Sequence, residues 1–196
     1  MSDRILLKYL NIGYVICLIL VTIQILIALS EASRINGYTF WYALKVLNSA
    51  LSLVTVLILW RILVKYYDQH QLSLTFALVF AFLFLLLLFG FLLPQRLIES
   101  FFWTGWIVVT LIYLVFSFVL FFKLMGIDDL AVPQIELLKN YCLASVICLF
   151  LLLILFLVSQ VLKIDRFDFL KSVFIIIPWA FLSVFFQRTR RSLILQ

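Results

Sequence analysis

Charge is what this chain has least of. Only 12% of its 196 residues are charged, against about a quarter in a soluble domain, while 67% are hydrophobic and the mean hydropathy is +1.26. A water-soluble fold is excluded by that balance. The single histidine, His70, excludes bis-histidine haem ligation and the histidine-cluster metal sites of membrane desaturases and hydroxylases. The three cysteines, Cys17, Cys142 and Cys148, all lie inside apolar runs with no CxxC among them. They read as small buried hydrophobes and say nothing of compartment. With five glycines and three prolines no Gly/Ser/Pro-rich linker forms, so residues 1–196 are expected to be a single domain. No Walker P-loop, GxGxxG, GxSxG or HExxH pattern occurs. Neither a metal nor a cofactor is expected, and no catalytic constellation can be assembled, so the chain is not read as an enzyme.

What the chain does have is long apolar runs. Strand-like alternation is absent, so an all-α integral membrane protein is expected, a polytopic bundle of transmembrane helices. Spans fall at about 9–30, 38–60, 72–93, 101–122, 141–162 and 169–187. Arg4 and Lys8 ahead of the first run resemble the charged start of a signal peptide. The run to Ser30 is too long for a cleaved leader of ~7–15 apolar residues, so it is read as a span that remains. Run five is expected to begin early, because Pro133 suits a first helical turn and Glu136 faces Asn140.

Run six is the weakest. Its charge-free core, Ser172 to Phe186, would rise only about 22 Å against a ~30 Å hydrocarbon layer, and Pro178 should kink it. Six spans are expected, with five plus an interfacial helix as the alternative. Six spans place nine cations (Arg4, Lys8, Arg61, Lys65, Lys123, Lys139, Arg188, Arg190 and Arg191) on the side of both termini and six on the other. That asymmetry orients both termini to the cytoplasmic or equivalent side. The Phe/Leu-heavy composition would fit an organellar inner membrane among others. The +6 net charge is thus a topology signal, and no nucleic-acid partner is expected.

Run two carries the one polar stripe. Lys45, Asn48, Ser49, Ser52 and Thr55 recur at three- and four-residue spacing and share a helix face. A lysine about five residues inside a span is costly. It would be met by an anionic ligand, or by Glu31 or Glu99 in the connections on that side. Alternatively Lys45 snorkels outward, and the small polar side chains form a helix-packing seam. Elsewhere Gln24 and Gln160 are the intramembrane amides. A 62-residue offset relates Arg34, Phe40, Trp41 and Arg61 to Arg96, Phe102, Trp103 and Lys123, which hints at a repeated hairpin.

Two functions follow from these features. The first is a non-catalytic accessory or scaffold subunit of a larger membrane complex, with membrane lipids and other membrane protein subunits as partners. The second is a small transporter or receptor-like bundle that binds an anionic or amphipathic molecule at the polar face of the second span. A wet pocket lined by Lys45, Asn48 and Ser52 would favour the second, and a dry helix contact at those residues the first.

Overall fold

A chain made of long apolar runs has one economical way to satisfy its backbone, the α-helix, in which every interior N–H and C=O pairs locally. The computed structural model is accordingly all-helical. It describes residues 3–33, 38–92, 101–128, 131–162 and 168–195. The helices are α1 (Asp3–Ser33), α2 (Tyr38–Arg61), α3 (Ser73–Leu92), α4 (Phe101–Met125), α5 (Ile135–Leu162) and α6 (Asp168–Ile194). Each of the six contains a segment long and apolar enough to cross a membrane.

The ends of the helices differ from the apolar runs for local reasons. α5 does begin early, at Ile135, but Pro133 stays outside it: Gln134 is left-handed (φ 64°) and separates the proline from the helix. α6 runs unbroken through Pro178 for 27 residues. Its last turns are amphipathic enough to include Arg188, Arg190 and Arg191, and that extension supplies the length which the charge-free core lacked. Because proline has no N–H, the carbonyl of Phe174 loses its usual partner one turn on.

Sequence neighbours pack against each other, and α6 returns to pack on α1, so the six helices form a closed ring. The α1–α6 contact is the most extensive and the α2–α3 contact the least. Polar links fasten the end that carries both termini. Arg190 donates to Asn11 Oδ1 at 2.8 Å, Tyr66 donates to Asp3 Oδ1 at 2.8 Å, and Arg61 lies 5.2 Å from the Tyr9 ring centre. Lys123 donates to Thr75 Oγ1 at 2.8 Å and to the Gln71 carbonyl at 3.2 Å. Arg61 on Tyr9 and Lys123 on Gln71 are related by the same 62-residue offset as the sequence similarity. Lys139, buried on α5, is neutralised by Glu136 at 2.8 Å.

The solid core sits at that same end. Leu6 and Leu10 from α1 meet Leu59 from α2 and Phe76 from α3 there. Leu124 of α4, Leu138 of α5, and Phe185 and Phe186 of α6 complete it. Leu6, Leu10, Phe185 and Phe186 have no exposed surface. Much of the outward surface between the helix ends is apolar, as in the α4 series Leu111, Val115, Phe118 and Phe122.

Between α2 and α3 the chain turns through a π-helical turn, Ile62–Tyr66, and a 3-10 turn, His70–Leu72. Asp68, left-handed at φ 56°, contacts His70 at 2.7 Å, and both side chains are exposed. This pair is a solvated turn. Tyr67 follows the π turn with its hydroxyl buried and unpartnered. Burial, and secondarily Tyr66, push its phenol up to about 12. Because the folded-state pKa lies above the unfolded value, ionisation does not penalise folding below pH 10, and stability falls as pH rises from 10 towards 12. Tyr67→Phe removes both the unpartnered hydroxyl and the titration. It should raise the melting temperature, by roughly 1 kcal/mol of stability, and flatten the alkaline decline. A melt of the variant no higher than the parent at pH 8 would contradict this.

Candidate functional site

Hydroxyl side chains inside an apolar helix have a partner at hand in the carbonyl one turn back. The stripe on α2 uses it. Ser49 donates to the Lys45 carbonyl at 2.9 Å, Ser52 to Asn48 at 2.8 Å and Thr55 to Leu51 at 2.8 Å. Their hydrogens are thereby committed within the helix, and what remains outward is oxygen lone pairs. On α5, Ser145 does the same to Tyr141 at 2.8 Å.

The structure divides the five stripe residues. Asn48 and Ser52 line a cavity of about 300 Å³ on the axis of the ring, whereas Lys45, Ser49 and Thr55 do not. Thr55 is fully buried in helix packing, Ser49 is half-buried and Lys45 is exposed. Glu99 and the side chains of Glu31 and Gln160 lie outside the described residues, as do the Arg34 and Arg96 ends of the repeat.

All six helices reach the cavity. α1 contributes Gln24, α2 Asn48, Ser52 and Val56, and α3 Leu83, Leu86 and Leu87. Thr110 and Tyr113 come from α4, Tyr141, Ser145, Cys148 and Leu152 from α5, and Ile175, Pro178 and Trp179 from α6. Among the described residues the lining has amides, hydroxyls and an indole but no carboxylate, Lys, Arg or His. Gln24, Ser52, Thr110 and Trp179 are all buried. Trp179 leans on Tyr141 with ring centres 6.1 Å apart. Asn48 carries unspent capacity, since its Oδ1 is buried without a hydrogen-bond partner. Leaving such an acceptor unpaired costs about 1–3 kcal/mol, and a small rotation about its broad terminal torsion would present it to a donor.

A second cavity, of about 30 Å³, lies towards the solid core. It shares Val56, Tyr113, Tyr141 and Ser145 with the larger one, so these side chains form the floor between them. It has room for about one or two waters. Beyond it Leu59, Phe76 and Leu120 lead into the dry packing around the termini.

Sequence reasoning marked Asn48, Ser52 and Gln24 as polar residues at depth. It missed Tyr113, Tyr141 and Trp179, which sit in runs so rich in aromatics that none stands out. Pro178 was the available signal, since a proline within a span tends to border a cavity that can satisfy the carbonyl it frees. Among the described residues there is no cluster of His, Cys, Asp and Glu able to hold a metal. Compared with known proteins, the chain matches no family model, no curated relative and no solved structure.

Proposed function

We propose that this chain is a single-domain, six-span membrane protein that binds a neutral, hydroxyl-bearing amphiphile inside its ring of helices. The observation that carries the reading is the axial cavity, bordered by all six helices and polar on several sides, with no charged side chain among the described residues that line it. A pocket that is mostly apolar with a few convergent polar groups is the usual form of a small-molecule site. Polar side chains buried at membrane depth are expensive unless they serve a partner. The wall offers acceptors in the Ser52 and Ser145 oxygens and Asn48 Oδ1, and donors in the tyrosine hydroxyls and the Trp179 indole. A hydroxyl group can use both. An anionic ligand gains little here, because Lys45 is outside the lining.

Membrane insertion is supported by the apolar outer faces. The end with both termini carries Arg4, Lys8, Arg61, Lys65, Lys123 and the tail arginines, which orients it to the cytoplasmic or equivalent side. The runner-up is a non-catalytic accessory subunit whose outer stripe, Leu111, Val115, Phe118 and Phe122 on α4, meets a partner chain instead of lipid.

The test uses the full chain in lipid nanodiscs, with Trp41, Trp60, Trp103 and Trp106 changed to Phe so that Trp179 alone reports. A spin-labelled long-chain alcohol should quench Trp179 saturably, and an excess of the unlabelled alcohol should relieve the quenching. Lys45→Met should leave the affinity within about twofold. Quenching that is linear in probe concentration, with the chain held at fixed stoichiometry by another subunit, would favour the runner-up. A tenfold loss with Lys45→Met would return the ligand to the anionic class.

A further inference from the structure

A ligand dissolved in the bilayer must cross the wall of the ring to reach its axis, and the six seams are not equally tight. We infer that the ligand enters sideways from the lipid, between the upper halves of α2 and α3, the halves remote from the termini. This inference rests on the binding function proposed above and concerns only its route.

Three observations point to that seam. α2 and α3 share the least contact of the six neighbouring pairs. On α2 no described side chain before Ser52 is buried, and on α3 none after Val79 is buried. At the same level α1 is sealed, with Ile23, Gln24, Ile27 and Ala28 all at or below 4% exposure. The cavity meets the loose stretch on both sides, through Asn48 on α2 and Leu83, Leu86 and Leu87 on α3. A route from the termini end would have to open the dry packing of Leu6, Leu10, Leu59 and Phe186.

Ser49 marks the lip of this opening. Ser49 lies two turns before Val56, within about 20° of it round the helix at ~100° per residue, and Val56 borders the small cavity together with Phe76 and Val79 of α3. That places Ser49 on the flank towards α3, beside Asn48 yet outside the cavity lining. Its hydroxyl is bonded within its own helix, so replacing it breaks no contact between helices.

The experiment times the Trp179 signal by stopped flow, delivering the spin-labelled alcohol from donor vesicles to the single-tryptophan chain in nanodiscs. Ser49→Trp is unsuitable with that reporter, so Ser49→Phe is the wedge and Ser49→Leu the milder version. Ile25→Phe on the exposed face of α1 is the control. Both Ser49 variants should slow association and dissociation together, about tenfold for Phe and less for Leu, with Kd within about twofold and the control unchanged. Parent-like rates in both Ser49 variants would overturn the route while leaving the binding site standing. A weakened Kd at an unchanged association rate would also overturn it, by making Ser49 part of the binding wall. Absence of saturable quenching in the parent would overturn the binding function itself, and the route with it.

Discussion

Gly13→Leu should unfasten the ring. Gly13 sits on α1 where α6 crosses it, and a Cβ built there would stand 2.7 Å from Cζ of Phe186 and 2.8 Å from Cε1. Real Cβ atoms do not approach so closely. Phe186 cannot swing aside, since it is wholly buried and tilted against Phe185 with ring centres 5.7 Å apart. Two effects compete even in the mildest variant. Gly13→Ala gains about 1 kcal/mol of helix propensity, but inserting atoms into a packed contact costs about 1–3 kcal/mol. The clash is the larger, so Gly13→Ala should melt lower than the parent and Gly13→Leu lower still or fail to assemble. Phe186→Leu in the Gly13→Ala background should recover part of the loss, with a coupling energy of about 0.5–3 kcal/mol. A thermal melt in mild detergent measures all of these, and a parent-like melt for Gly13→Leu would refute the close α1–α6 approach.

How much of this was legible in the residues differs between fold and site. The helices were, because a bare apolar run leaves the backbone no other way to satisfy itself. The sixth helix was doubtful only because length was counted in charge-free residues. Arg188, Arg190 and Arg191 prolong α6 past the apolar stretch, with Arg190 held by Asn11. Closure of the ring was not legible. It depends on a glycine facing a phenylalanine 173 positions away, and neither residue signals the other. The stripe on α2 was half legible. Spacing alone put Lys45 and Ser52 on one face, but whether that face meets a neighbour, a void or lipid changes with depth along the helix. At Thr55 it is packed, at Ser52 and Asn48 it borders the cavity, and at Lys45 it is exposed.

Small-to-large changes at the cavity should behave in the opposite way from Gly13→Leu. Ser52 and Ser145 stand on different helices of the lining, and each hydroxyl is bonded only to its own helix. A phenyl ring at either site has the void to enter and breaks no contact between helices. Filling empty space restores dispersion contacts that the lining side chains lack, so Ser52→Phe and Ser145→Phe should melt at or above the parent temperature. Each should also weaken the spin-labelled alcohol at least tenfold, which corresponds to about 1.4 kcal/mol, and the double variant should abolish saturable quenching of Trp179. Ser183→Phe provides the contrast. Ser183 is buried on α6 and does not line the cavity, so the same exchange there should lower the melt and leave the affinity of the surviving folded chain near parent. If the Ser52 and Ser145 variants instead destabilise as Ser183→Phe does, the space between the helices is filled by packing and is not a site. If they are stable yet bind as well as the parent, the alcohol sits elsewhere on the protein.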